Sequence, residues 1–136
     1  MDGKVIGITG GASGIGLALS KILVSRGAKI SIADVSTENL QKAVESIKQA
    51  TPAAEVITSQ CDVRKPDDVQ SWIKKTVDQF GKLDGAANMA GVISKKEFAS
   101  EMIWEETESD WEFVLGVNLY VRLTSLYTRS QSHRLT

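Results

Sequence analysis

Three glycines at GxxxGxG spacing, Gly10, Gly14 and Gly16, follow Thr9 within the stretch GITGGASGIG, and Asp34 stands eighteen residues beyond the last of them. Side chains are nearly absent from the turn Thr9-Gly10-Gly11-Ala12-Ser13-Gly14-Ile15-Gly16. Its backbone N–H groups are therefore uncovered. If a helix begins at the end of the turn, those groups and the positive helix end suit a pyrophosphate. The spacing differs from the more familiar GxGxxG, and the glycines taken alone fit a plain tight turn as well. Asp34 adds a second requirement, because a carboxylate at the end of the next strand can take the two hydroxyls of an adenosine ribose. A capping or solvated carboxylate is the simpler alternative for Asp34.

These residues need a strand before the turn and a helix after it. Lys4 to Thr9 reads as a buried strand, and Ile15, Ala18, Leu19, Ile22 and Leu23 recur at helical spacing up to a stop at Gly27. Lys29 to Ala33 predicts a second strand, and Leu40, Ala43, Val44 and Ile47 mark a second helix ending before Pro52. Glu55 to Gln60 predicts a third strand. Pro66, Asp67 and Asp68 then open a helix that carries Val69, Trp72, Ile73, Val77 and Phe80 to a stop at Gly81. A short fourth strand is expected at Leu83 to Ala87. A capping box of Ser109 with Glu112 precedes a helical face of Trp111, Val114, Leu115 and Asn118. Strict strand-helix alternation implies an α/β fold with a parallel sheet and right-handed crossovers.

Composition narrows the function classes. The 136 residues suit one domain, and sixteen Lys and Arg against seventeen Asp and Glu leave a formal charge of −1, with no basic field for nucleic acid or an anionic membrane. The uncharged stretch from Val5 to Ser20 is too short to span a bilayer and is broken by glycine, so neither export nor insertion is expected. One cysteine, Cys61, supports no internal disulfide and no metal set, which fits a cytoplasmic protein. Cys61 and Met89 read as core filling. The single histidine, His133, lies in a polar stretch and builds no Ser/His or Cys/His catalytic set.

Thr9, Gly10, Gly14 and Gly16 match TGxxxGxG, and on these residues the chain resembles the short-chain dehydrogenase/reductase family. The resemblance continues in Asp62-Val63, in Asn88-Met89-Ala90-Gly91 against the family's NNAG, and in Asn118. It implies a Rossmann-type, doubly wound parallel sheet in the order 3-2-1-4. It also implies NAD(H) or NADP(H) held by Thr9, Gly10, Ser13, Gly14, Ile15, Gly16, Asp34, Asp62, Val63, Asn88, Ala90 and Gly91. On the same resemblance Asp62 meets the adenine amino group, though it also suits a turn before Pro66. Asn118 belongs to the catalytic set, though a structural role suits it equally. Met89 replaces the second Asn of NNAG. Asp34, with Ser13 and Val35 where NADP-specific relatives place a basic residue, favours NAD(H) and disfavours NADP(H).

The family reaction moves a hydride between nicotinamide and a carbonyl or alcohol carbon, with a Tyr and Lys in YxxxK and a Ser. Tyr120 is followed at the fourth position by Thr124 and Tyr127 by Gln131, so this chain contains no YxxxK. The resemblance thus assigns residues 1–118 to the cofactor-binding half. Residues 119–136, with three Arg, three Ser and three Thr and a stripe of Leu119, Leu123 and Leu126, form a divergent tail. The expectation is a truncated oxidoreductase of a secondary alcohol or ketone in secondary metabolism, binding cofactor without turnover. The alternatives are a nucleotide-binding or dimerising regulator and a non-functional fragment. An exposed fourth strand predicts self-association.

Overall fold

The computed structural model describes residues 1–93 and 107–120. Most of the expected connection from Val92 to Glu108, and Leu123, Leu126, Tyr127 and His133 of the tail, lie outside the described residues. The chain divides into two compact units, Met1–Ala90 and Gly91–Thr136.

The first unit is a parallel sheet of β1 (Val5–Thr9), β2 (Lys29–Asp34), β3 (Val56–Gln60) and β4 (Gly85–Asn88), with α1 (Gly14–Ser25), α2 (Thr37–Ala50) and α3 (Pro66–Phe80) as the crossovers. The order is β3-β2-β1-β4, as expected for a Rossmann-type sheet. Ile8 is paired with Ile32 and Gly7 with Ser31. The period of two therefore sends the isoleucines to one face and Gly7 and Ser31 to the other. On the isoleucine face Ile8, Ile30 and Ile32 join Val24 of α1 and Leu40, Ala43 and Ile47 of α2 in a single core. On the opposite face Trp72 of α3 lies over Gly7, where a Cβ would come 3.0 Å from its ring. The Trp72 indole N–H donates to Ser31 Oγ at 2.8 Å, and Ser31 shares a 2.6 Å hydrogen bond with the Thr76 hydroxyl. These buried polar groups thus satisfy one another.

The burial of α1 departs from the expected face. Gly16, Ser20 and Val24 are buried, whereas Ile15 and Ile22 are exposed. A Cβ at Gly16 would stand 2.2 Å from the Gly10 carbonyl oxygen, so close packing against the turn fixes which side of the helix faces inward. Ser20 follows one turn later and donates its hydroxyl to Gly16 O at 2.9 Å. Met89, expected in the core, is 37% exposed. It follows β4, which begins at Gly85 and not at Leu83. The Asp84 carboxylate accepts the Val5 N–H at 2.8 Å, so a side chain ties Asp84 to the start of β1.

In the second unit, α4 (Glu108–Leu115) leads into a π-helical turn, Gly116–Tyr120. Its cap is Thr107 with Asp110, not Ser109 with Glu112. The Thr107 side chain accepts the Asp110 N–H, and Asp110 Oδ2 accepts the Thr107 N–H at 3.2 Å. The helix therefore starts two residues earlier than expected. Trp111, Leu115 and Asn118 are exposed, and Val117 is the buried residue of the segment. The π-helical turn shifts the residues after Leu115 away from α-helical phase, and the expected Trp111-to-Asn118 face does not continue through it.

Candidate functional site

The candidate site lies at the carboxyl ends of β1, β2, β3 and β4, where open parallel sheets bind ligands. β1 ends in Thr9, which is fully buried. Its hydroxyl accepts the Ala90 N–H at 3.2 Å and its carbonyl accepts the Met89 N–H at 3.2 Å, so Thr9 fixes the exit of β4. Gly10 has φ +63, and a Cβ there would fall 2.7 Å from Ala90 Cα. Both the dihedral and the space demand glycine. Gly10 N–H donates to Ala33 O at 2.8 Å, which anchors the turn to β2.

Gly14 is different. Its φ is +49, but a Cβ there would meet nothing within 4 Å, so this glycine borders open space. Ser13, the N-cap of α1, is extended at φ −149 and ψ 170, and its side chain makes no capping bond. The first turn of α1 contains no acidic residue, while α2 and α3 carry Glu38 and Asp67 with Asp68 in theirs. Ile15 is 75% exposed beside this helix start. An open glycine, an uncapped helix start and a first turn without an acidic residue together suit an anionic group.

Asp34 closes the other side of the turn. Its Oδ2 accepts the Ala12 N–H at 3.2 Å and its Oδ1 accepts the Ser36 N–H at 3.1 Å, so the carboxylate is fixed from both sides. The Cys61 N–H donates to Asp34 O at 2.9 Å, which places the Asp62-Val63 pair next along the same sheet edge. Val63 is buried, and the half-buried Asp62 accepts from Arg64. The Arg64 side chain donates from Nε to Asp62 Oδ1 at 2.9 Å and from Nη2 to Oδ2 at 2.6 Å, and the Arg64 backbone N–H donates to Oδ1 at 3.0 Å. The Arg64 hydrogen bond holds the Asp62 carboxyl below the ordinary aspartate value, against the opposing effect of its burial. Burial, followed by the nearby Asp68 and Asp62 charges, pushes the Cys61 thiol up to about 12, which makes it an inert core side chain.

Asn88 ends β4 in register with Thr9 and is half-buried, as is Ala90. In the second unit, Asn118 forms a two-way clamp on Val92. Its Nδ2 donates to Val92 O and its Oδ1 accepts the Val92 N–H, each at 2.9 Å. Gly91 lies beside this clamp, with an added Cβ 3.5 Å from Asn118 Oδ1. The structure thus brings Thr9, Gly10 and Ala90 together, joins Ala12 to Asp34, and joins Gly91 to Asn118 through Val92. Sequence reasoning missed Gly11, where a Cβ would stand 2.9 Å from Ile32 Cγ2, and Arg64. Gly11 was signalled by its type, and Arg64 by an opposite charge two residues from Asp62.

Sheet order and the turn at β1 define a Rossmann-type α/β protein. The family model described as short chain dehydrogenase matches residues 4–130, and the chain belongs to that family, whose members bind nicotinamide cofactors. It is 48% identical over 123 residues to the short-chain dehydrogenase/reductase aba4 of Botryotinia fuckeliana, covering 90% of this chain and 47% of that protein. It is 45% identical over 118 residues to the chanoclavine-I dehydrogenase ifgE of Penicillium roqueforti, covering 85% and 45%. Among solved structures, a short-chain dehydrogenase/reductase from Burkholderia phymatum in complex with NAD superposes with a TM-score of 0.86 at 33% identity, covering 96% of this chain and 44% of that one. The chain spans about half the length of the curated relatives it matches. Among the described residues no helix is long and apolar enough to cross a membrane.

Proposed function

We propose that the chain is the dinucleotide-holding part of an NAD(H)-dependent oxidoreductase that acts on a small secondary alcohol or ketone in the cytoplasm. The observation that carries the reading is the open, uncapped helix start at Gly14, one hydrogen bond through Ala12 from a fixed Asp34 carboxylate. In this reading Gly10, Ser13, Gly14, Ile15 and Gly16 line the pyrophosphate through their backbone, with Gly10 and Gly16 keeping the turn compact. Asp34 accepts from the ribose hydroxyls. Asp62 and Val63 border the adenine, while Asn88 and Ala90 border the nicotinamide half. Thr9 acts through Ala90, and Asn118 acts by holding the backbone at Val92. When bound, the nicotinamide supplies or accepts the hydride.

NAD(H) is favoured over NADP(H) because Asp34 is tethered through both oxygens and has little freedom to retreat from a 2′-phosphate. No base stands at Ser13 or Val35 to neutralise that phosphate. The relative named as chanoclavine-I dehydrogenase favours a secondary-metabolite substrate. In this reading the 136 residues, which contain no YxxxK, bind cofactor and carry no turnover of their own. Calorimetric titration of the purified chain with NAD tests the reading. Saturable binding is expected, with no reduced nicotinamide formed from a panel of secondary alcohols. Absence of NAD binding overturns the proposal, and steady reduction of NAD overturns its non-catalytic part.

A further inference from the structure

Among the described residues β3 is the outermost strand beside β2, and it is half-buried up to the exposed Gln60, where β1 and β2 are mostly buried. The Glu55 carbonyl accepts the Ile30 N–H and the Cys61 N–H donates to Asp34 O, so residues 55 and 61 turn these backbone groups toward β2. Along a parallel strand such groups alternate from side to side. Val56, Thr58 and Gln60 therefore present theirs away from the sheet. The run Val56-Ile57-Thr58-Ser59-Gln60 carries no charge and no proline. An uncharged outer strand rich in β-branched residues is a template for another strand.

Helix α3 supplies what the strand lacks. Trp72 and Thr76 fix the helix to Ser31 of β2, and Lys75, beside Thr76, reaches over the neighbouring β3. There its ammonium donates to Thr58 O at 2.7 Å. The adjacent Lys74 behaves otherwise and pairs with Asp78 at 2.6 Å on the exposed side of the helix. We propose that the outer edge of β3 is a pairing surface for the β3 of a second copy of this chain, and that Lys75 keeps it shut. Full overlap of two such five-residue strands, antiparallel about a two-fold axis, sets Thr58 against Thr58 and Val56 against Gln60. Each outward carbonyl then needs an N–H from the other copy. Lys75 already holds the central acceptor, and pairing would bring a second ammonium to the same point. The edge is thus closed by an occupied acceptor and by like-charge repulsion.

Hydrogen exchange resolved to single amides of the Val56–Gln60 segment tests this, in the purified chain, in Lys75→Met and in Lys75→Arg, over a range of protein concentrations. In the unaltered chain the Val56, Thr58 and Gln60 N–H groups should exchange quickly at every concentration. Lys75→Met keeps the length of the side chain and removes its charge. Exchange at Thr58 should then slow by at least about tenfold, and more as concentration rises. Lys75→Arg keeps the charge and the donors and should exchange as the unaltered chain does. The Ile57 and Ser59 N–H groups, which point into β2, should stay protected throughout and report an intact sheet. Fast exchange at Thr58 in Lys75→Met at all concentrations overturns the proposal, and so does slow exchange there in the unaltered chain. Slowing that is independent of concentration also overturns it, because the cover then comes from within one chain. Should Lys75→Met open the sheet, the same readout in Lys75→Gln decides.

Discussion

Gly10 and Gly14 both have positive φ, yet alanine at the two positions should act in opposite ways. At Gly14, with φ +49 and no atom within 4 Å of an added Cβ, the cost to the chain is the left-handed backbone conformation alone. That cost is about 1.5 kcal/mol for an L-residue, which in a cooperative unit the size of Met1–Ala90 lowers Tm by roughly 6–12 °C. Gly10→Ala carries the same dihedral cost and also drives a Cβ to 2.7 Å from Ala90 Cα and 2.8 Å from Ala90 N. Those are backbone atoms held by the Thr9 hydroxyl, so they do not move aside freely. Overpacking adds about 1–3 kcal/mol, and the Tm loss should be roughly double that of Gly14→Ala. Binding ranks differently. The Gly14 methyl enters the open space that the anion requires, so NAD affinity should fall by at least about tenfold in a chain that remains folded at room temperature. Thermal unfolding and calorimetric titration on the two variants provide the comparison. Unchanged NAD affinity in Gly14→Ala would refute the cradle, and equal destabilisation by the two variants would refute the steric argument.

Asp34→Ala should erode the preference for NAD over NADP, because a carboxylate about 5 Å from a 2′-phosphate repels it by up to roughly 3 kcal/mol per charge pair at an effective dielectric near 20; tighter binding of NADP by the unaltered chain would contradict the assignment. Asp84, held by the Val5 N–H first and then by Lys82 and Lys4, has its carboxyl lowered from 3.8 to about 2. Its folded value lies below its unfolded one, so its stabilisation is present above pH 3.8 and is lost as pH falls toward 2. Denaturant titrations of Asp84→Asn should therefore show a deficit against the unaltered chain that is constant at neutral pH and closes across that window. β4 is the outermost strand beside β1 among the described residues and carries neither Lys nor Pro, so size-exclusion chromatography should show the purified chain self-associating.

The alternation of strands and helices was legible because each crossover has a clear stop, such as Gly27 or Gly81, because β1 reads as a buried apolar run, and because β2 alternates Ile30 and Ile32 with Lys29 and Ser31. Helix α2 was legible to the face: Leu40, Ala43 and Ile47 are buried among polar neighbours. Helix α1 was not, since it is apolar on several sides and hydrophobic spacing does not choose among them. Close packing of Gly16 on Gly10 makes the choice. The carboxylates Asp34 and Asp62 were visible as types at a spacing. What holds them was not, because the Ala12 and Ser36 N–H groups are backbone and carry no sequence signature. The Arg64 fork depends on a turn geometry that side-chain spacing does not reveal. The capping box was misplaced by two residues because Thr107 and Ser109 each have an acid three positions on, and only the backbone shows which one is extended.

The starts of the described helices offer a further test of what α1 is for. Ser36 caps α2 by accepting the Asn39 N–H at 3.2 Å, and Thr107 and Asp110 cap α4 reciprocally. Helix α3 lacks a side-chain cap but has Pro66 at its start and Asp67 and Asp68 in its first turn. Helix α1 has neither a side-chain cap nor a first-turn acid. A missing cap typically costs about 1 kcal/mol, and that cost is reasonable where a bound anion supplies the missing interactions. Ser13→Asp should expose this exchange. At an extended N-cap an aspartate can accept a first-turn N–H and place its charge at the positive helix end, raising stability by about 0.5–1 kcal/mol. The same charge occupies the place of the pyrophosphate and should weaken NAD binding by about tenfold or more. Gain in Tm with loss of affinity is the expected pair. If the variant gains stability and binds NAD as before, the start of α1 is not where the anion sits, and the uncapped serine reflects only the packing of the turn.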